Sequence, residues 1–262
     1  MSKVEYVIGG QTLAPPAREQ AAQMLADDAM ALRCGRSPAL DRWRAIRDGK
    51  TPADMVSAAT VATYATIGFG LPGHPANDTH LQGLVAELLW NRLLKERKQC
   101  SGGRSLVKAH SVKPDPLEPG GDGLVVYKVG GSYVFRLWEV KKHAARGPVS
   151  GTINRASKQL AGRGNEYLAK LAGPDTVEQR GPLGAFYAEV IELWLDGSIR
   201  AGVGVAVGTS DHHAPTRPSA FKSITTSFPQ FAAPGQTEGL VVAVPDFPDF
   251  ASRLREIVWS GL

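Results

Sequence analysis

The sequence predicts an α/β fold, and three observations carry the prediction. Apolar residues recur at helical spacing in some stretches, and these alternate with short runs rich in Val, Tyr, Phe and Trp. The 262 residues are 43% hydrophobic and 21% charged, enough apolar material for a sizeable buried core and too much for a disordered chain. No apolar run approaches the ~20 residues that a membrane helix needs.

Taken in order, the first 75 residues read as helical hairpins. Pro15 to Leu32 and Pro38 to Ile46 are rich in Ala, Arg and Leu. Thr51-Pro52-Ala53-Asp54 places an N-cap before a proline at the first helical position, which predicts a third helix from Thr51. The glycine- and proline-rich stretch from Gly68 to Asn77 is loop-like and marks a boundary. It divides a helical N-terminal region, residues 1–76, from a core of residues 77–262. Asp78-Thr79 can cap a helix over residues 80–98, with Leu81, Leu84, Val85, Leu88 and Leu89 on one side.

Three strands are predicted next, at about Ser105–Val112, Gly123–Val129 and Ser132–Lys141. Both faces of the third are largely apolar, as in a central strand covered on two sides. Helices follow over about Ser150–Leu171 and Leu183–Leu195, the second stopped by Asp196-Gly197. Ala201–Val207 and Gly239–Val244 read as further strands, and Pro248–Trp259 as a closing helix.

The chemistry starts at a turn. Val129-Gly130-Gly131-Ser132 joins two strand-like runs through consecutive glycines, which suit the positive φ of a two-residue hairpin. Pairing Val129 with Ser132 sets Asp122 opposite Glu139, and directly opposed residues share a face. Lys141, two residues beyond Glu139, shares it too. Two opposed carboxylates among apolar residues repel and lose hydration unless a cation sits between them. Oxygen ligation of this kind suits Mg²⁺ or Mn²⁺, and Lys141 would position or deprotonate a bound water.

With those residues in place, the chain resembles the PD-(D/E)XK, or restriction-endonuclease-like, nuclease superfamily. Asp122 matches the metal-binding aspartate and Glu139-Val140-Lys141 the ExK tripeptide. Glu87 matches a helical glutamate near the metal, and Gln159 a glutamine on the helix that follows. The match covers roughly residues 79–208. Two departures stand out: Arg163 occupies the place of a tyrosine found in exonuclease members, with Tyr167 farther on, and the namesake proline is displaced to Pro119. The resemblance implies a mixed central sheet flanked by helices, a Mg²⁺- or Mn²⁺-dependent nuclease, and DNA as substrate. It extends to nuclease subunits of bacterial restriction or anti-phage defence, such as that of the helicase-partnered Hachiman system. A helicase or other ATPase is then the expected partner, because the chain has no motor motif. The other reading is a non-catalytic DNA-binding or assembly subunit with the same fold.

For Glu87, beside a buried stripe, a boundary ion pair competes with metal ligation, and Gln159 reads equally as a solvated helix residue. The net charge of +5 is compatible with a phosphate-bearing partner. Lys142, Arg146, Arg155, Lys158 and Arg163 would border the site with positive charge for DNA phosphates. Asp211-His212-His213 reads as a polar loop, since no third ligand joins it. Gly202, Gly204 and Gly208 alternate within a strand and do not form a nucleotide loop. Two cysteines, Cys34 and Cys100, make no disulfide scaffold, and neither Cys100 nor His110 forms a defensible nucleophile pair. MSKVEYVIGG carries no signal-peptide stretch, so the expected compartment is the cytoplasm.

Overall fold

Strand residues that alternate between two apolar faces demand cover on both sides, and the chain supplies it from separate sets of helices. The computed structural model describes residues 4–53, 56–97, 99–100, 103–110, 112–113, 121–144 and 146–262. In chain order the elements are β1 (Glu5–Gly9), α1 (Pro15–Cys34), α2 (Pro38–Arg47), α3 (Ala58–Phe69), β2 (Gly70–Leu71), β3 (His74–Pro75) and α4 (Asp78–Glu96). They continue with β4 (Gln99–Cys100), β5 (Arg104–Ala109), β6 (Gly123–Val129), β7 (Ser132–His143), α5 (Val149–Glu178) and α6 (Gly181–Leu195). The last are β8 (Val203–Ser210), α7 (Lys222–Ser227), β9 (Thr237–Val244) and α8 (Phe247–Ser260).

Seven strands form one mixed sheet in the order β1-β9-β8-β7-β6-β5-β4. β1, β9, β8 and β7 run parallel, and β7, β6, β5 and β4 are antiparallel. Alternate residues feed opposite layers. Val125, Tyr127, Trp138 and Val140 pack with α1–α4 and α8, whereas Leu124, Val126, Phe135 and Leu137 pack with α5–α7. The α/β class expected from the sequence is the architecture observed. Among the described residues no helix is long and apolar enough to cross a membrane.

The structure revises several element predictions. The N-terminal region is not helical throughout, because Glu5–Gly9 adds a parallel edge strand to β9. That pairing joins opposite ends of the chain, so no local pattern announces it. The third helix starts at Ala58, where the Ser57 hydroxyl accepts the Thr60 N–H at 3.2 Å. Thr51–Ala53 stay outside it, and Asp54 lies outside the described residues. Asn77, not Asp78, caps α4, accepting the Thr79 N–H at 2.8 Å. Gly68–Asn77 contains the small β2–β3 hairpin.

Helix α5 runs on to Glu178 through Pro174, past its expected end at Leu171. Proline removes a helical donor and crowds the preceding turn. Here the next residue is anchored: buried Asp175 pairs with Lys108 and with His110, at 2.8 Å from the latter's Nε2. Tertiary contacts from β5 and the segment after it hold the last turn that local preference would end.

The alternating glycines of β8 prove to be packing positions. A Cβ at Gly204 would fall inside the buried Trp138 indole; one at Gly202 would clash with the Gln236 carbonyl and Arg136, and one at Gly208 would crowd Ala86 and Phe247. Gly204→Ala is therefore expected to cost about 1–3 kcal/mol through overpacking, read as a lower denaturant midpoint at unchanged slope. An unchanged midpoint would mean that Trp138 can move aside.

Candidate active site

The glycine turn forms as its sequence predicts. Gly130 and Gly131 have φ of 52° and 90°, and the β6–β7 ladder runs from Val129↔Ser132 to Gly123↔Trp138. That register brings Asp122 and Glu139 to the point where the ladder ends. Among the described residues, β7 from Glu139 to His143 pairs only with β8, and no strand lies on its other edge. Asp122 takes up that edge with its side chain: Oδ2 accepts the Val140 N–H at 2.6 Å. Its carboxylate thus replaces the next rung of the ladder.

Glu139 is fully buried, and its Oε1 accepts a hydrogen bond from Lys141 Nζ. Its Oε2 is buried with no hydrogen-bond partner among the described residues. Burial and the Asp122 charge push Glu139 up to about 7, against the pull of Lys141 and Lys113. Burial also raises Asp122, although Lys141, the Val140 N–H and Lys113 all favour its ionised form. Glu87 approaches from α4 and is half-buried. Burial, Asp122 and Glu139 push it up to about 8, while Lys113 and Lys141 oppose the rise. Lys141 moves the other way for an ammonium: burial would lower it, but Glu139, Asp122 and Glu87 together hold it above its ordinary value. It is charged at neutral pH.

Three acids resisting ionisation together, one oxygen of them orphaned, make a site short of positive charge. Among the described residues no three Asp, Glu, His or Cys side chains form a complete ligand cage. The donor set nevertheless fits Mg²⁺ or Mn²⁺, which accept one or two carboxylates and fill the remaining positions with water and substrate phosphate. Asp122 and Glu139 would hold the ion, with Glu87 beside them.

Gln159 lies on α5, where its Nε2 donates to the Tyr167 hydroxyl at 2.9 Å. Tyr167 is buried, and its Cβ lies 2.9 Å from where a Cβ on Gly121 would stand. The tyrosine therefore backs the segment entering Asp122, and Arg163 stacks over its ring at 5.1 Å. Sequence reading placed Tyr167 too far along the helix to count; the long side chains of Gln159 and Tyr167 close that gap. Lys113 was also missed as a site residue, since its sole signal was membership of a basic stretch. It bears on all three carboxylates electrostatically.

The expected DNA-binding cations are spread more widely. Lys158 and Arg163 are exposed on α5, Arg163 pairing with Glu166 at 3.1 Å. Arg155 donates to the Thr152 hydroxyl at 2.8 Å, Lys142 reaches Gln82 at 3.4 Å, and Arg146 lies on the loop after β7. Asp211–His213 forms a short 3-10 turn directly after β8. Pro119, Lys98 and the Cys100 side chain lie outside the described residues. No family model matches the chain, and no curated protein matches it.

Proposed function

We propose that this chain is a divalent-metal-dependent nuclease that hydrolyses DNA phosphodiester bonds on a restriction-endonuclease-like core. One observation carries the reading: fully buried Glu139, with one carboxylate oxygen unpartnered among the described residues, set beside half-buried Asp122 where the β6–β7 ladder ends, with the Lys141 ammonium against it. When bound at Asp122 and Glu139, Mg²⁺ or Mn²⁺ supplies Lewis acidity toward a phosphoryl oxygen and a more acidic water. Lys141, held protonated by its acidic neighbours, serves as a hydrogen-bond donor that orients the attacking water and offsets charge developing on phosphorus. A role for it as general base fits less well, because its proton is held more tightly than usual. Gln159, fixed by Tyr167, is placed to orient substrate from α5. The resemblance to defence nucleases extends the proposal to a bacterial anti-phage role beside a helicase or other ATPase.

The test is plasmid DNA incubated with Mg²⁺ or Mn²⁺ and the wild-type chain, alongside Glu139→Ala and Lys141→Ala. Metal-dependent cutting that disappears in both variants is the expected result. Cutting that survives in both would belong to a contaminant. DNA binding without any cutting, with or without an ATPase partner, would favour the non-catalytic subunit.

A further inference from the structure

An open pocket of about 400 Å³ lies at the carboxyl ends of β7 and β8, between the loop that enters α5 and the segment that follows β8. Crevices outside the carboxyl ends of parallel strands are where α/β sheets bind ligands. Arg146, Arg217, His212 and His213 line this one, and no Asp or Glu does among the described residues. Several arginines elsewhere, among them Arg44, Arg92 and Arg253, have a carboxylate within 3.0 Å, while exposed ones such as Arg36 and Arg180 have none among the described residues but line no such pocket. Arg146 and Arg217 are exposed and have none among the described residues. Two guanidiniums facing an acid-free pocket are unneutralised, and a multivalent oxyanion supplies the missing charge in a matching geometry.

The pocket is built onto the candidate active site through β7. His143 lies two residues beyond Lys141, on the same face of the strand. It is buried, and its Nε2 donates to the Gly147 carbonyl at 3.0 Å, so its Nδ1 accepts from the Thr152 hydroxyl at 2.8 Å. Its ring meets His213 edge-on at 4.8 Å. His143 thereby fixes both walls, about 13 Å along the strand from Glu139 at ~3.3 Å per residue.

We propose that this pocket binds a backbone phosphate of the nucleic acid cut at Glu139, a few nucleotides from the scissile bond, with Arg146 and Arg217 as its ligands. The choice of a nucleic-acid phosphate rests on the nuclease reading; the pocket's demand for an anion does not. His143 is a positioning residue, since it reaches the phosphate only through Gly147 and His213.

The experiment titrates a fluorescent DNA oligonucleotide, single- and double-stranded, with the intact chain in EDTA at several salt concentrations. Arg146→Ala/Arg217→Ala is compared with Arg36→Ala/Arg180→Ala, which removes the same charge elsewhere on the surface. The pocket variant should bind about tenfold more weakly, and its log-affinity against log-salt slope should fall by about two. The control should keep the wild-type slope. Inorganic phosphate, at matched ionic strength, should compete with the oligonucleotide for wild type and not for the pocket variant. Equal losses in the two variants, an unchanged slope, or phosphate binding with no oligonucleotide binding would each overturn the proposal. Cleavage with Mg²⁺ separates the two readings. Weakened binding without any cutting by wild type leaves the pocket standing and removes the nuclease; full affinity and cutting in the pocket variant do the reverse.

Discussion

Glu139→Gln is expected to lower Mg²⁺-dependent DNA cleavage by roughly a hundred- to a thousandfold or more. The same substitution should raise the stability of the metal-free protein at pH 8 by about 1–3 kcal/mol. Both effects have one cause. The folded protein holds the Glu139 proton up to about pH 7, and the unfolded chain releases it near 4.5. A group whose folded pKa is raised contributes stability that is complete below the unfolded value and is lost as pH rises through the folded one. Glu87, pushed up to about 8, adds to the same loss. Wild type in EDTA should therefore weaken between pH 4.5 and 8, opposite in sign to ordinary acid denaturation.

Glutamine mimics the protonated acid, so the variant's advantage should vanish near pH 4.5. Mg²⁺ should then stabilise wild type and leave the variant nearly unmoved, because ligand stabilisation follows affinity for the folded state. Denaturant titrations at pH 4.5, 6 and 8, with EDTA and with Mg²⁺, read all of this. A variant less stable than wild type at pH 8 would show that the Glu139–Lys141 pair outweighs the acid repulsion, and the argument for a cation site would lose its basis.

Glu238→Ala should have the largest effect on folding outside the site, a loss of about 3–5 kcal/mol. Glu238 on β9 lies 2.9 Å from Arg104 of β5 and 3.4 Å from Arg136 of β7, and Arg104 also reaches Glu5 of β1 at 3.1 Å. Both arginines donate to the Gly235 carbonyl, at 2.5 and 2.7 Å. The groups are deeply buried: Arg136 is drawn down to about 10 by desolvation, despite Glu238, and desolvation raises Glu238 despite both arginines. Taking away the carboxylate leaves two buried guanidiniums with the half-buried Glu5, on Arg104 alone, as their one remaining carboxylate among the described residues, and Arg136 with main-chain carbonyls only. The melting temperature should fall by roughly 10 °C. Replacing Arg104, Arg136 and Glu238 together with Met and Leu should recover most of it, as apolar side chains often match a buried ion pair. A single-variant loss under about 1 kcal/mol would mean that water enters the network.

Much of this protein is legible in its amino acids because the signals are local. The Gly130-Gly131 turn sets the register of β6 on β7 by backbone preference alone, and register decides which residues meet. The juxtaposition of Asp122 and Glu139, with Lys141 two residues on, follows from that turn and the pleat of a strand. The strands of the sheet's centre and most helices follow from period and from turn residues. Gly202, Gly204 and Gly208 could be rejected as a nucleotide loop, though not recognised as room for Arg136, Trp138 and Phe247.

What the folded molecule decided are the long-range matters. β1 exists because β9 offers an edge, α5 survives Pro174 because Asp175 is anchored by Lys108 and His110, and Tyr167 counts because Gln159 reaches it. The ionisation of the site belongs there as well. Whether a carboxylate beside a lysine is an ordinary surface pair or an under-compensated acid depends on how much water surrounds it, and water is excluded only when distant segments close over the group. Charge and spacing are written along the chain; the dielectric that gives them consequence is made by the fold.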